Sequence, residues 1–133
     1  MSGSEELLTA ARSARDRAHA PYSGFKVGAA VRATDGSVHV GANVENAAYP
    51  EGICAEAAAI AAMVMAGQRR IAELLVIAEG SKPVTPCGGC RQKIREFAGP
   101  DTPIHLANLD GALESTTLDA LLPMSFGPEF LDR

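Results

Sequence analysis

Cys54 and Glu56 stand two residues apart in the stretch ICAEAAAIAAMVMAG, and Cys87 and Cys90 frame the run CGGC. A C-x-x-C pair by itself fits a redox dithiol, half of a zinc site or a chance spacing. Pro86 and Cys54 narrow that choice. A structural zinc site closes with four protein ligands, whereas a catalytic one keeps three and leaves a place for water. Three cysteines with a carboxylate beside one of them match the open arrangement. His19, His39 and His105 could close the shell, but none adjoins a cysteine cluster, so each reads as a surface or hydrogen-bonded histidine.

Glu56 is the only carboxylate between residues 53 and 67. On a helix body, Cys54 and Glu56 would turn to opposite faces. At a helix N-terminus both can border one pocket seen end-on, where unpaired N–H groups and the positive dipole end favour thiolate. Cys87 and Cys90, three apart around the start of another helix, can grip one ion from one side. Gly88 and Gly89 allow close approach of the backbone. Glu56 would then sit near a water without ligating the metal. A first-turn acid that complements the dipole is the plain alternative. However, Ala57 to Ala66 show no polar face, so the helix is expected to be buried, and an idle carboxylate there would be costly.

The elements that must hold these residues are readable from periodicity. Residues 4 to 19 carry Leu7, Leu8, Ala11, Ala14 and Ala18 on one helical face, and PYSG stops that helix. FKVGAAVRA alternates as a strand, Asp35-Gly36 offers a hairpin turn, and SVHVGANVEN returns. The helix from Ile53 ends at Gly67. ELLVIAEG reads as a strand, GGCRQKIREFAG as a helix, PIHLAN as a strand, LDG as a turn and TTLDALLP as a short final helix. A fifth strand is expected near Ala112 to Ser115. This order implies an α/β mixed sheet with helices on both faces, with ligands beyond strand ends where helices begin. Both cysteine clusters fall at such junctions.

The chain has 133 residues, 47% apolar and 21% charged, and reads as one domain over 1–133 without repeats or linkers. A net charge of -4, with Arg69-Arg70 as the longest basic run, argues against nucleic-acid binding. No apolar run reaches the roughly 20 residues of a membrane span. The N-terminus lacks a secretory pattern, and three cysteines suit reduced thiols, so a cytoplasmic location is expected.

A ligand-x-Glu element joined to a later P-C-x-x-C is the zinc deaminase signature, with a three-cysteine variant. Cys54-Ala55-Glu56 and Pro86-Cys87-Gly88-Gly89-Cys90 supply both elements. With NVENAAYPEGICAE and PCGGCRQ around them, the chain resembles the small homotetrameric zinc-dependent cytidine deaminases, from about Tyr22 to the C-terminal LLPMSFGPEFL. The resemblance implies a three-layer α/β/α sandwich on a five-stranded mixed sheet. It also implies hydrolysis of cytidine and 2′-deoxycytidine to the uracil nucleosides and ammonia, a step of pyrimidine salvage. By position, Cys54, Cys87 and Cys90 would ligate Zn2+, Glu56 would move the protons, and backbone groups of Ala55 would hold the base edge. Asn43 and Glu45 match the ribose-binding pair, and Phe25 the residue flanking the pyrimidine ring. Ala47, Tyr49 and Phe126 match positions that reach a neighbouring subunit's site, and the Ala-rich helix 53 to 66 would allow subunits to approach closely.

One departure stands out. Many small family members place Arg after the catalytic glutamate, offsetting the charge of three thiolates, and this chain has Ala57. Helix N–H groups and Arg91, next to Cys90, are the expected substitutes. Ala57 also resembles the CAEA stretch of the blasticidin S deaminases, a second reading that NVEN disfavours. A non-catalytic structural zinc domain would need a fourth protein ligand. A polynucleotide deaminase is disfavoured by the low positive charge.

Overall fold

The turn written at Asp35-Gly36 joins the first two strands of the sheet. In a computed structural model, which describes residues 3–131, strand β1 (Val27–Ala33) turns there into β2 (Val38–Ala42), with Gly36 at φ 92°. β3 (Ile71–Ala78), β4 (Pro103–Asn108) and β5 (Leu113–Thr117) complete a five-stranded sheet of order β2-β1-β3-β4-β5. Only β3 and β4 run parallel; the other neighbours are antiparallel. Met1, Ser2, Asp132 and Arg133, the ends of the expected domain, lie outside the described residues.

Helix α1 (Gly3–Arg15) covers one face of the sheet, and α2 (Ala55–Met65), α3 (Gly88–Phe97) and the short α4 (Leu118–Leu121) cover the other. Leu7 and Ala11, four apart on α1, meet Ala30, Leu75, Ile77 and Ala107. On the opposite face Ala59, Ile60 and Met63 of α2, Ile94 of α3 and Leu118 of α4 meet Val31, Leu74, Val76, Ile104 and Leu106. The central strands are therefore apolar on both sides, as LLVIA in β3 requires. Each buried leucine or isoleucine contributes about 1.5–3 kcal/mol of transfer free energy.

Two strand glycines set how close the helices lie. A Cβ at Gly28 would strike the Ala11 carbonyl and stand 2.9 Å from Arg15 Cβ, so β1 touches the α1 backbone. A Cβ at Gly41 would strike the Ala59 nitrogen and stand 2.6 Å from the Ala55 oxygen, so β2 lies against the first turn of α2.

The chain departs from the sequence expectations at three places. The first helix ends at Arg15 because His19 leaves it to bridge Val44, donating its N–H to the Asn43 carbonyl at 3.0 Å. The return strand stops at Ala42 for the same reason: Val44 pairs with His19 and Ile53 in isolated bridges. Finally, α2 is buried on one side only. Ala61, Ala62 and Met65 face outward, Met65 with 86% of its surface exposed. An alanine helix has no polar face to mark which side meets water, so its sequence reads as buried all round. Short 3-10 turns at Tyr49–Glu51 and Pro128–Leu131 carry no apolar period and escape a sequence reading. Among the described residues no helix is long and apolar enough to cross a membrane.

Candidate active site

The two main helices on one face each begin with a cysteine. Cys54 is the N-cap of α2 and Cys87 the N-cap of α3, both in extended backbone, and Cys90 follows in the first turn of α3. The loop after β2 and the loop after β3 thus deliver their sulfurs to one place. All three Sγ atoms lie within 4.8 Å of one another, with Cys54 and Cys87 4.0 Å apart. A disulfide needs about 2.05 Å. Two thiolates on one tetrahedral zinc, each about 2.3 Å from it, stand about 3.8 Å apart.

Electrostatics point the same way. Burial, then the negative charges of Glu56, Cys54 and Cys87, pushes the Cys90 thiol far above its ordinary value. Burial likewise raises Cys54. Cys87 is lowered, chiefly because the backbone N–H of Cys90 faces its sulfur. Glu56 is 5% exposed, and burial raises its carboxyl, with the Lys93 charge opposing. Such a set holds its negative charges together around a cation, and soft thiolate donors select zinc. None of the three histidines belongs to the cluster. His19 sits in the bridge to Val44, His39 meets Ser37 Oγ at 2.9 Å, and His105 meets Glu73 Oε1 at 2.8 Å and Ser115 Oγ at 2.7 Å.

Cys54 and Cys87 open on a cavity of about 430 Å³, within the range of small-molecule sites. Cys54, Ala55, Glu56 and Cys87 line it from the helix ends, and Phe25, Asn43, Glu45 and Tyr49 from the loops and strand ends. Asn43 is locked in place: its Oδ1 accepts the Val27 N–H at 2.9 Å and its Nδ2 donates to the Phe25 carbonyl at 2.8 Å. Glu45 Oε1 accepts the N–H groups of Tyr22 at 3.0 Å and Ser23 at 3.1 Å, while Oε2 accepts the Ser23 hydroxyl. The Ser23 hydroxyl, followed by the backbone donors, holds the Glu45 carboxyl below its usual range.

The structure does not bring every candidate together. Ala47 is exposed and does not line the cavity. Phe126 is also outside it, 55% exposed and stacked on Phe130 at 5.6 Å between ring centroids. Arg91 donates to two carbonyls, Pro86 at 2.7 Å and Leu121 at 2.8 Å. Conversely, Ser23, Val84 and Thr85 line the cavity although their sequence context does not single them out. Val84 and Thr85 precede the P-C-x-x-C element, and their place ahead of the ligand loop is the one signal they carry. Ser23 lies within PYSG, which reads as a helix stop before anything else.

Residues 1–106 match the family model described as "Cytidine and deoxycytidylate deaminase zinc-binding region". The chain belongs to this deaminase family. Its deaminase relatives include a cytidine deaminase of Sporosarcina psychrophila, 45% identical over 127 residues, which are 96% of this chain and 93% of the relative. A cytidine deaminase of Halalkalibacterium halodurans is 43% identical over 123 residues, 92% of this chain and 93% of the relative. The crystal structure of cytidine deaminase from Burkholderia pseudomallei superposes with a TM-score of 0.90 at 42% identity, covering 95% of this chain and all, 100%, of that one. The α/β/α sandwich implied by the deaminase resemblance is therefore the fold observed, and the zinc cofactor of the family suits the three-cysteine cluster.

Proposed function

We propose that this chain is a cytidine deaminase that hydrolyses cytidine and 2′-deoxycytidine to uridine and 2′-deoxyuridine, releasing ammonia. The observation that carries the reading is a buried carboxyl, Glu56, lining the same cavity as Cys54 and Cys87, whose sulfurs converge with that of the buried Cys90. Cys54, Cys87 and Cys90 would hold zinc, which supplies a Lewis acid that makes water nucleophilic at neutral pH. Glu56 accepts the proton of the attacking water and delivers it to the ring nitrogen beside C4. It then takes the remaining proton from the hydroxyl added at C4 and passes it to the amine, which leaves as ammonia as the C4–N bond breaks. Burial suits that role, because it raises the affinity of the carboxyl for the proton it carries.

Backbone groups of Ala55, at the start of α2, would hold the base edge, and Phe25 would flank the ring. Asn43 and Glu45 would hold the ribose hydroxyls. The family model's description covers nucleosides and a nucleotide alike. Here neither the cavity nor the adjoining groove of Tyr22, Ser23, Glu45, Asn46, Tyr49 and Gly52 is lined by a Lys or Arg. A 5′-phosphate, which calls for charge-assisted donors, would meet Glu45 instead, so the neutral nucleoside fits better.

The proposal extends to assembly. Phe126 lies outside its own cavity and α2 presents an apolar outer face, so a homotetramer in which Ala47 and Phe126 complete neighbouring sites accounts for both, whereas Tyr49, expected to reach a neighbour, lines the cavity of its own chain. All three cysteines are free thiols, as a reducing cytoplasm would keep them.

Ammonia release from cytidine tests the reaction. The wild-type chain should turn over, and Glu56→Gln should lose roughly 10²–10⁴-fold in rate at unchanged zinc content. Full activity in the variant would remove Glu56 from the chemistry. A zinc-replete wild type inert toward cytidine would overturn the reading.

A further inference from the structure

Helix α3 is bonded at both ends to parts of the chain that lie far apart in sequence. Cys87 is its N-cap and Cys90 lies in its first turn. From the next residue onward its side chains reach the segment that follows α4. Gln92 Nε2 donates to the Phe126 carbonyl at 3.0 Å, and Arg95 donates to Ser125 Oγ at 2.9 Å and to Glu129 Oε1 at 2.6 Å. Arg91 alone spans the two ends: Nε meets the Pro86 carbonyl and Nη1 the Leu121 carbonyl, at 2.7 and 2.8 Å.

The Pro86 carbonyl belongs to the peptide plane that ends at the Cys87 nitrogen. Holding its oxygen restrains that plane, and with it the placement of the Cys87 Cα from which the sulfur projects. Pro86 is itself fully buried, so its carbonyl needs an internal donor. A planar guanidinium offers two donors at a set angle and can hold both carbonyls at once. A lysine ammonium keeps the charge but not the fork.

We propose that Arg91 is a positioning residue of the zinc site, acting through these two carbonyls to brace the Cys87 loop against the end of α4. Its positive charge near the sulfurs is not the operative feature. The inference rests on the three-cysteine zinc site proposed above, but not on the identity of the substrate.

Release of zinc to a chromogenic chelator from wild type, Arg91→Lys, Arg91→Met and Arg95→Ala reads the brace directly. Thermal unfolding of the zinc-loaded proteins, run alongside, shows whether each variant folds. Loss of a partner that orients a ligand costs on the order of 10–100-fold in metal affinity. Arg91→Lys and Arg91→Met should therefore both release zinc at least about tenfold faster than wild type. Arg95→Ala, which frees Ser125 and Glu129 but leaves the Leu121 carbonyl in place, should release it as wild type does.

The Co2+-substituted Arg91→Lys protein should also show altered ligand-field bands, because one sulfur has shifted. A wild-type release rate and spectrum in Arg91→Lys, with a fast rate only in Arg91→Met, would assign the effect to charge and overturn the proposal. Equal acceleration in Arg95→Ala would trace the effect to general loosening of the C-terminal segment and would overturn it as well. So would a wild-type protein that retains no zinc. A protein that passes all these tests yet fails to deaminate cytidine would refute the proposed function and leave the brace standing.

Discussion

Glu45, the proposed ribose-binding carboxylate, is held in place by the chain's own donors. Three donors from Tyr22 and Ser23 converge on its carboxylate, the Ser23 hydroxyl foremost, and hold its pKa below the ordinary 4.5. A carboxyl with a depressed folded-state pKa adds stability above its unfolded value, and that stability is lost as pH falls through the folded value. Wild type should therefore be more stable than Glu45→Gln at pH 7, and the gap should close as pH drops below about 4.5 toward the lowered value. Urea midpoints of the two proteins across that range measure it; a gap that widens in acid would contradict the assignment. With cytidine, the same variant should raise KM more than it lowers kcat if Glu45 holds ribose as proposed, away from the reacting carbon. Spacing and likeness to the family motif singled out Asn43 and Glu45 in the sequence, and both line the cavity. The sequence did not expose Ser23, because a serine between tyrosine and glycine reads as turn chemistry, and only the folded backbone shows which carboxylate it faces.

The helices and strands repeat this division between what spacing reveals and what tertiary contact decides. The hairpin at Asp35-Gly36, the strand PIHLAN and the Leu7–Ala11 stripe of α1 emerged from local period and turn residues because each is governed by nearest neighbours. The early end of α1 and of β2 did not, because both are decided by bridges from Val44 to residues well separated along the chain. Gly28 and Gly41 belong to that second kind as well, and they make a matched pair of tests. Alanine at either position forces a strand and a helix apart, with an overpacking cost of about 1–3 kcal/mol. The partners differ. Gly41 lies against Ala55 and Ala59, so Gly41→Ala should shift the first turn of α2, which carries Cys54 and Glu56. Gly28 lies against Ala11 and Arg15 on the far face of the sheet. Gly28→Ala should therefore lower the denaturation midpoint and leave zinc affinity intact, whereas Gly41→Ala should lower both. Equal zinc affinity in the two variants would mean that the α2 end holds its geometry independently of the strand beneath it.

The proposed assembly would add contributions that no single copy can make. Met65, with 86% of its surface exposed, lines a groove between α2 and α3 with Ile60, Ala61, Val64 and Phe97, flanked by Gln92, Lys93 and Glu96 of α3. A charge placed there should not disturb the zinc ligands, which lie at the other end of both helices. Met65→Glu should thus retain zinc while sedimenting as a smaller species than wild type, and its kcat/KM for cytidine should fall if neighbouring copies supply part of each site. Mixed oligomers separate that last condition from a loss of stability. Glu56→Gln lacks the proton carrier but keeps Phe126; Phe126→Ala keeps the carrier but lacks the ring. If Phe126 serves a neighbour's cavity, dissociating and reassociating the two inactive variants together creates sites that join an intact Glu56 to an intact Phe126 from a different chain. Turnover should then exceed the sum of the separate proteins. If Phe126 serves its own cavity, or none, no mixture can pair the missing parts and the activities will merely add. Phe126 lies outside the cavity of its own chain and stacks on Phe130 at the surface, so the geometry favours recovery.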